Sequence, residues 1–326
     1  MMPGRVTPMN FRQMRAFVSV YEEGSFSAAA QRENATQSGL SMQLRNLEER
    51  LGLRLFERGA HGVTPTPAGR LYYARCVPIL NAARSAEEEV LALAGDIYGK
   101  LRIGVIPSLS RAGLANVLVD YTQRFRNVDI LIVEGYSQAV TDAVLTGELD
   151  FAIVPQHDPQ VGLEARLITR DHELLVSGDR LGLEPRRPVR LADLPPLKLA
   201  LPALFNSRRA TLEQYFHTEG VQLERVMELD GVLATFWLVA QSDWATILPM
   251  TAMIGEVRRE HHVPERLLIN PIVRPAIPFS YMLIRATRQP LSPPARLFAD
   301  ALEAELTRNA AEWDTLLGVD ASDENA

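Results

Sequence analysis

The sequence predicts an all-α N-terminal domain, then a long helix, then an α/β domain. A chain of 326 residues is long for one domain. Apolar residues keep helical spacing through most of the first 94 positions, whereas short apolar runs alternate with helical patterns from Leu101 onward. The change of pattern near Gly95 and Gly99 places the boundary between the two parts.

Charge is divided unevenly between these parts. Residues 1–70 hold nine arginines and six glutamates with no lysine or aspartate, a net charge of about +3, and the rest of the chain carries about −9. A basic head on an acidic body predicts that the head meets a polyanion.

Composition limits the cellular setting. No apolar run reaches the length of a membrane span, and the first residues lack the apolar core of a secretory signal. A single cysteine, Cys76, cannot form an internal disulfide. We therefore expect a cytoplasmic protein that has no membrane partner.

Two helices open the chain. The first is predicted over 9–22, with Asn10 as its cap, and Gly24 ends it. The second begins at the N-cap Ser25 and is rich in alanine, so that another helix can approach closely.

The third helix has an apolar face and a polar face. Thr36 is its predicted N-cap and Gly52 its end. Its buried stripe is predicted to be Leu40, Leu44, Leu47 and Leu51. Helix, short helix, tight turn and helix together make a helix-turn-helix, in which the N-terminal, outer side of the third helix faces solvent.

That outer side carries groups suited to the DNA major groove. Gln37 can pair with adenine, Arg45 can reach guanine or phosphate, and serine hydroxyls can contact either base edges or backbone. The alternative is an amphipathic helix with a solvated polar face. The predicted DNA contacts of this helix are Thr36, Gln37, Ser38, Ser41, Met42 and Arg45.

A hairpin and a long helix follow. Leu53–Phe56 is predicted to be a strand that turns near Gly59 and Gly62, forming a wing. Its candidates for phosphate or minor-groove contact are Arg58, His61 and Thr64, although a solvated turn is an equal alternative. The helix over 67–94 has Pro78 inside it and more apolar residues than a solvated helix needs, which predicts pairing with another chain.

The second part contains eight short apolar segments. Their alternation with helical patterns predicts largely parallel sheets. The segments are LRIGVI, DILIVEGY, DFAIVPQ, HELLVSG, LKLALPA, ERVMELD, WATILPM and FSYMLIRA.

The chain resembles the LysR-type transcriptional regulators. The stretch MNFRQMRAFVSVYEEGSFSAAA is similar to that family's opening helices, and TQSGLSMQLRNLEERLGLRLFER is similar to its S-Q-x-x-L-S…LE…LG…LF-R signature. Weaker similarity continues through GKLRIGVIPS, LTGELDFAIVP, SDWATILPM and RQPLSPPARLFADALEAEL. The resemblance therefore covers nearly the whole chain.

This resemblance implies a domain plan and partners. It implies a winged helix-turn-helix over 9–66, a linker and dimerisation helix over 67–95, and an effector domain over 99–310. The effector domain would resemble two-lobed periplasmic-type solute-binding proteins, with lobe I at about 99–168 and 289–310 and lobe II at about 169–288. Double-stranded DNA, a small effector, a homodimer through the linker helix and a homotetramer are the implied partners.

The sequence departs from the family pattern at four positions. Ser38 and Gly39 replace the usual proline and alanine, and Met42 replaces a frequent arginine. These changes are expected to alter base reading. Glu33 places a polar group where leucine is usual.

Effector contacts are expected where strands end and helices begin, because free backbone N–H groups there favour an anion. Arg208 or Arg209 could clamp a carboxylate. The alternatives are simple N-caps for the serines, a surface arginine for Arg208 and a core position for Phe236. The candidates are Ser108, Leu109, Ser137, Gln138, Asn206, Ser207, Arg208, Thr235 and Phe236.

Other chemistry has no sequence signal. The six histidines lack zinc spacing, and nucleotide-binding and nucleophile-elbow motifs are missing. We therefore expect neither metal nor cofactor. A ligand-responsive transcription factor is the leading interpretation. A plain solute-binding module is the second and an enzyme the third, the latter lacking any nucleophile–base pairing.

Overall fold

The computed structural model describes residues 10–59, 62–93, 95–155, 160–204, 206–254, 267–287 and 289–317. The chain divides into two compact units, the first formed mainly by residues up to Leu91 and the second by most of the remainder. Among the described helices, none combines the length and apolar character that a membrane span requires.

The first unit consists of helices and one hairpin, in the predicted order. Capping is as predicted: the side chains of Asn10, Ser25 and Thr36 accept backbone N–H groups, and Gly24 and Gly52 end their helices in the left-handed conformation. The elements are α1 (Phe11–Glu23), α2 (Phe26–Arg32), α3 (Gln37–Leu51), β1 (Phe56–Gly59), β2 (Gly62–Pro65) and α4 (Pro67–Ala92).

Two predictions around the end of α3 were wrong. Leu51 is 39% exposed, because it lies in the last turn of α3, beyond the buried stripe of Leu40, Leu44 and Leu47. The strand begins at Phe56, not at Leu53. The Glu48 carboxylate of α3 accepts the backbone N–H groups of Leu55 and Phe56, which ties the preceding segment to the helix.

The second unit contains one continuous mixed sheet. Its strand order is β4-β3-β5-β11-β6-β9-β7-β8, and β10 pairs with β6 outside this path. The strands are β3 (Tyr98–Val105), β4 (Asn127–Glu134), β5 (Phe151–Pro155), β6 (Leu163–Ser177), β7 (Leu197–Leu201), β8 (Leu223–Glu228), β9 (Trp244–Pro249), β10 (Leu268–Pro271) and β11 (Pro278–Ala286).

Helices cover this sheet between successive strands. They are α5 (Pro107–Arg111), α6 (Leu114–Arg124), α7 (Ser137–Leu145), α8 (Ser207–Glu219), α9 (Val232–Gln241) and α10 (Pro293–Leu317), with short 3-10 turns at Asp179–Leu181, Leu191–Asp193 and Met250–Met253.

Two lobes share the sheet. Lobe I contains the parallel strands β3, β4 and β5, and lobe II contains the parallel strands β7, β8 and β9. The long strands β6 and β11 pair antiparallel and join the lobes, since β11 also pairs with β5, and β6 also pairs with β9. Parallel pairing was thus correctly predicted within each lobe, and the antiparallel connection was not predicted.

Candidate functional site

The outer face of α3 is presented to solvent. Thr36 accepts the N–H of Gly39 at 3.1 Å, which closes the first turn of the helix. The side chains of this face are exposed except for the half-buried Ser41; the exposed ones are Thr36, Gln37, Ser38, Met42 and Arg45. All six predicted α3 residues therefore lie together on one accessible surface.

Glu33 attaches α2 to α1, the two helices that precede this surface. Its carboxylate accepts a hydrogen bond from the Ser19 hydroxyl at 2.5 Å and pairs with Arg15 at 3.1 Å. Both partners lie on α1, whereas Glu33 lies at the end of α2. Glu33 therefore joins α2 to α1 through polar contacts, at a position where leucine would join them through apolar contacts.

Several carboxylates of the basic head already form ion pairs or hydrogen bonds within it. Arg32 pairs with Glu22 at 2.6 Å and with Glu23 at 3.2 Å, and Glu48 accepts two backbone N–H groups. Arg45 forms no ion pair within the part of the chain that the structure describes. The unpaired cation on the α3 face is suited to a phosphate or a guanine edge.

The hairpin next to α3 is fixed by the main chain. Val63 donates its N–H to the carbonyl oxygen of Gly24 at 3.2 Å, which attaches β2 to the turn between α1 and α2. Thr64 is exposed, and Arg58 lies on β1 opposite Val63. His61 lies outside the described residues.

A pocket of about 630 Å³, counting its open mouth, lies between the two lobes of the second unit. Lobe I contributes Ser108 and Ser137, and lobe II contributes Asn206, Arg208 and Thr235, so five predicted residues meet here. The remaining lining is mainly apolar: Ile106, Pro107, Pro155, Pro202, Leu229, Val232, Ile247 and Leu248.

Arg208 is held rigidly at the wall of this pocket. Its Nε and Nη2 donate to the buried Glu173 carboxylate at 3.0 and 2.7 Å, and Nη2 also contacts the Ile247 carbonyl oxygen at 3.2 Å. Burial raises the pKa of Glu173, and the charge and hydrogen bonds of Arg208 oppose that rise. The guanidinium is therefore a partly buried structural cation that also forms part of the pocket wall.

The N-terminal ends of α7 and α8 face each other across the cleft. The Ser137 and Ser207 hydroxyl oxygens are 3.4 Å apart. Ser207 itself lines an adjoining pocket with Glu173 and Phe279. Gln138 is exposed and donates to Asp142 at 2.8 Å, so the structure does not bring it into the pocket lining.

Two predicted effector contacts are core residues. Leu109 is fully buried in lobe I because its side chain lies on the inner face of the short helix α5. Phe236 is fully buried in lobe II, where the Arg111 guanidinium lies 4.5 Å from its ring centroid. A position at a strand end therefore brings the segment to the pocket without bringing each of its side chains into the lining.

Tyr136 and Asp230 line the pocket and were missed from the sequence. Asp230 accepts the N–H of Ala203 at 3.0 Å. Burial, together with the Asp230 carboxylate that accepts its hydroxyl, raises the pKa of Tyr136. Tyr136 immediately precedes the predicted Ser137, whereas Asp230 lies five residues before the predicted Thr235. Each lies two residues after the end of a strand, Tyr136 after β4 and Asp230 after β8, so a rule counted from the strand end would have included both.

A buried polar chain leads from the pocket to the strands that join the lobes. The Ser108 hydroxyl interacts with the Tyr281 hydroxyl, which is 2.8 Å from Thr251 Oγ1. Thr251 in turn donates its hydroxyl and its N–H to the Asp171 carboxylate at 2.6 and 3.1 Å. Burial raises the pKa of Asp171 to about 7.

A metal site is not formed by the described residues, since no group of three or more histidine, cysteine, aspartate or glutamate side chains converges among them. Cys76 is buried, and burial raises the pKa of its thiol to about 11.

A winged helix-turn-helix and a two-lobed α/β unit with an interlobe pocket define a ligand-binding DNA-binding protein as the class. Residues 11–70 match the family "Bacterial regulatory helix-turn-helix protein, lysR family", and residues 94–307 match "LysR substrate binding domain". The chain belongs to the LysR family of transcriptional regulators, whose members are DNA-binding proteins and not enzymes.

Relatives match over nearly the whole chain. The nitrogen assimilation regulatory protein nac of Klebsiella aerogenes is 26% identical over 308 residues, covering 93% of this chain and 97% of that protein. Full-length OxyR of Pseudomonas aeruginosa, in a cysteine-substituted form, has a TM-score of 0.73 at 20% identity, covering 91% and 95%. Full-length CbnR complexed with its target DNA has a TM-score of 0.53 at 22% identity, covering 91% and 100%.

Proposed function

We propose that this regulator reads its operator with the outer face of α3 and responds to a small organic anion held between the lobes. The observation that carries the first part is the exposed row from Thr36 to Arg45, which combines an amide, hydroxyls and an unpaired guanidinium. These groups match the donor and acceptor pattern of the major groove. Arg58, His61 and Thr64 of the hairpin are proposed to contact the adjacent backbone.

Arg208 supports an anionic effector. Its Nε and Nη2 are occupied by Glu173, whereas Nη1 has no hydrogen-bond partner in the described part of the chain. The N-termini of α7 and α8 add backbone N–H groups on either side of the cleft. The acidic lining residue Asp230 already accepts hydrogen bonds from Ala203 and Tyr136, which reduces its repulsion of an anion.

Assembly is proposed to use α4. Leu71 and Val90 on this helix are 63% and 66% exposed. Burying such side chains against the same helix of a second copy removes apolar surface from water. We propose a homodimer through α4 that assembles further into a homotetramer, working in the cytoplasm where the chromosome is accessible.

The DNA-reading proposal is tested by binding measurements on a selected duplex. Sites are first enriched from a random DNA pool with the wild-type protein, and Kd is then measured by fluorescence anisotropy. Arg45→Ala and Gln37→Ala should each raise Kd by about tenfold or more, since each removes one specific base-edge or phosphate contact. Arg126→Ala, an exposed arginine of the second unit, is the matched control. Wild-type affinity in both α3 variants would show that another surface reads the DNA.

The anionic-effector proposal is tested by thermal shifts with a panel of small organic acids and their neutral amides. An acid that stabilises the wild type should do so more than its amide. The paired change Arg208→Met with Glu173→Met removes a buried ion pair while keeping its volume, a replacement that proteins often tolerate. Loss of the acid's advantage in this folded variant is the expected result, and an unchanged advantage would exclude Arg208 from the site.

A further inference from the structure

Met42 is an apolar side chain on the polar face of α3. It is 62% exposed, whereas Leu40, Leu44 and Leu47 of the same helix are at most 3% exposed. At about 100° per residue, Met42 lies about 140° to 160° from each of these leucines around the helix axis. It therefore lies nearly opposite the core, at the centre of the surface that α3 presents outward.

The side chains next to Met42 on that surface are polar. Ser38 precedes it by four residues and Arg45 follows it by three, so both lie next to it along the same stripe. Ser41 lies beside it and is half-buried. The patch is thus one thioether side chain bordered by hydroxyl groups and a guanidinium.

The chemistry of the major groove decides what such a side chain can contact. Base edges there present nitrogen and oxygen acceptors and N–H donors, and the C5-methyl group of thymine is the apolar group. Methionine cannot donate a hydrogen bond to phosphate, and its sulfur is only a weak acceptor. Placed against a donor or acceptor, it would strip water from that group without replacing the hydrogen bond.

We propose that Met42 reads the methyl group of a thymine in each half of the operator. This inference rests on the proposed entry of α3 into the major groove. Arg45 and the serines anchor the helix through polar contacts, and Met42 selects thymine by burying its side chain against the methyl group. Burial of one methyl-sized group corresponds to about a fourfold change in affinity.

The test replaces individual thymines of the selected duplex with uracil, which removes only the C5-methyl group. For the wild-type protein, one thymine in each half-site should give about a fourfold rise in Kd when it is replaced. Met42→Ala should bind the thymine and uracil duplexes equally. Leu53→Ala, which removes a side chain that is 59% exposed and outside α3, should retain the wild-type preference.

The outcomes separate the two proposals. If the wild type enriches no specific duplex, the DNA-reading proposal fails, and the thymine inference with it. If specific binding occurs but no thymine is sensitive to uracil, or Met42→Ala keeps the full sensitivity, only the inference about Met42 is overturned.

Discussion

Asp171 is a carboxyl group in an unusual position, on the strand β6 that joins the lobes. It is almost fully buried, yet its oxygens accept the N–H groups of His172 and Thr251 and the Thr251 hydroxyl. These donors favour the ionised form, whereas burial and the neighbouring Glu173 favour the protonated form. Burial is the larger effect, so the pKa rises to about 7.

The raised pKa makes stability depend on pH. In the unfolded chain this carboxyl ionises near pH 4, and in the folded protein near pH 7. The protonated carboxyl group therefore adds to the free energy of unfolding. This contribution is fully present below about pH 4 and is lost as the pH rises to about 7. We therefore expect Asp171→Asn to show less loss of Tm than the wild type between pH 5 and pH 8.

The control for this measurement is Asp129→Asn, because Asp129 is an exposed acid of the same unit. That variant should follow the wild-type pH profile. A wild-type profile in Asp171→Asn as well would mean that another group causes the dependence.

At the scale of elements, the helix ends were the most predictable features. Thr36, Asn10 and Gly52 act through atoms two to four residues away, so local sequence was sufficient to identify them. The ion pair of Arg208 with Glu173 joins residues 35 positions apart on α8 and β6. No local sequence pattern indicates that pairing. The early part of β6 was not predicted either, because local sequence does not show which distant strands it pairs with.

The α3 cap carries an element-scale prediction. Thr36→Ala removes the acceptor for the Gly39 N–H and should lower stability by about 1 kcal/mol. Because Gln37 and Ser38 lie in the turn that this cap closes, DNA affinity should fall as well. Thr36→Ser keeps the hydroxyl and should restore both properties, as measured by urea unfolding and anisotropy. A defect shared by the serine variant would point instead to the threonine methyl group.

At the scale of the whole molecule, the class of each unit followed from periodicity, whereas the order of strands did not. Alternating apolar segments indicated parallel sheets, and β3, β4 and β5 are parallel as expected. Periodicity has no signal for which strands continue from one lobe into the other. The sequence therefore predicts segments that line the pocket but not how they come together, because the crossing strands bring them to one place.

The path of those crossing strands has a consequence for biosynthesis. The chain leaves lobe I along β6, builds lobe II, and returns along β11 to α10, whose Phe298, Leu302 and Leu306 fill the lobe I core. On the ribosome, β3 and β5 emerge long before the strand and helix that cover them. Lobe I must therefore remain partly uncovered until β11 and α10 have emerged, and nascent chains that stall after lobe II would be the ones that need chaperones.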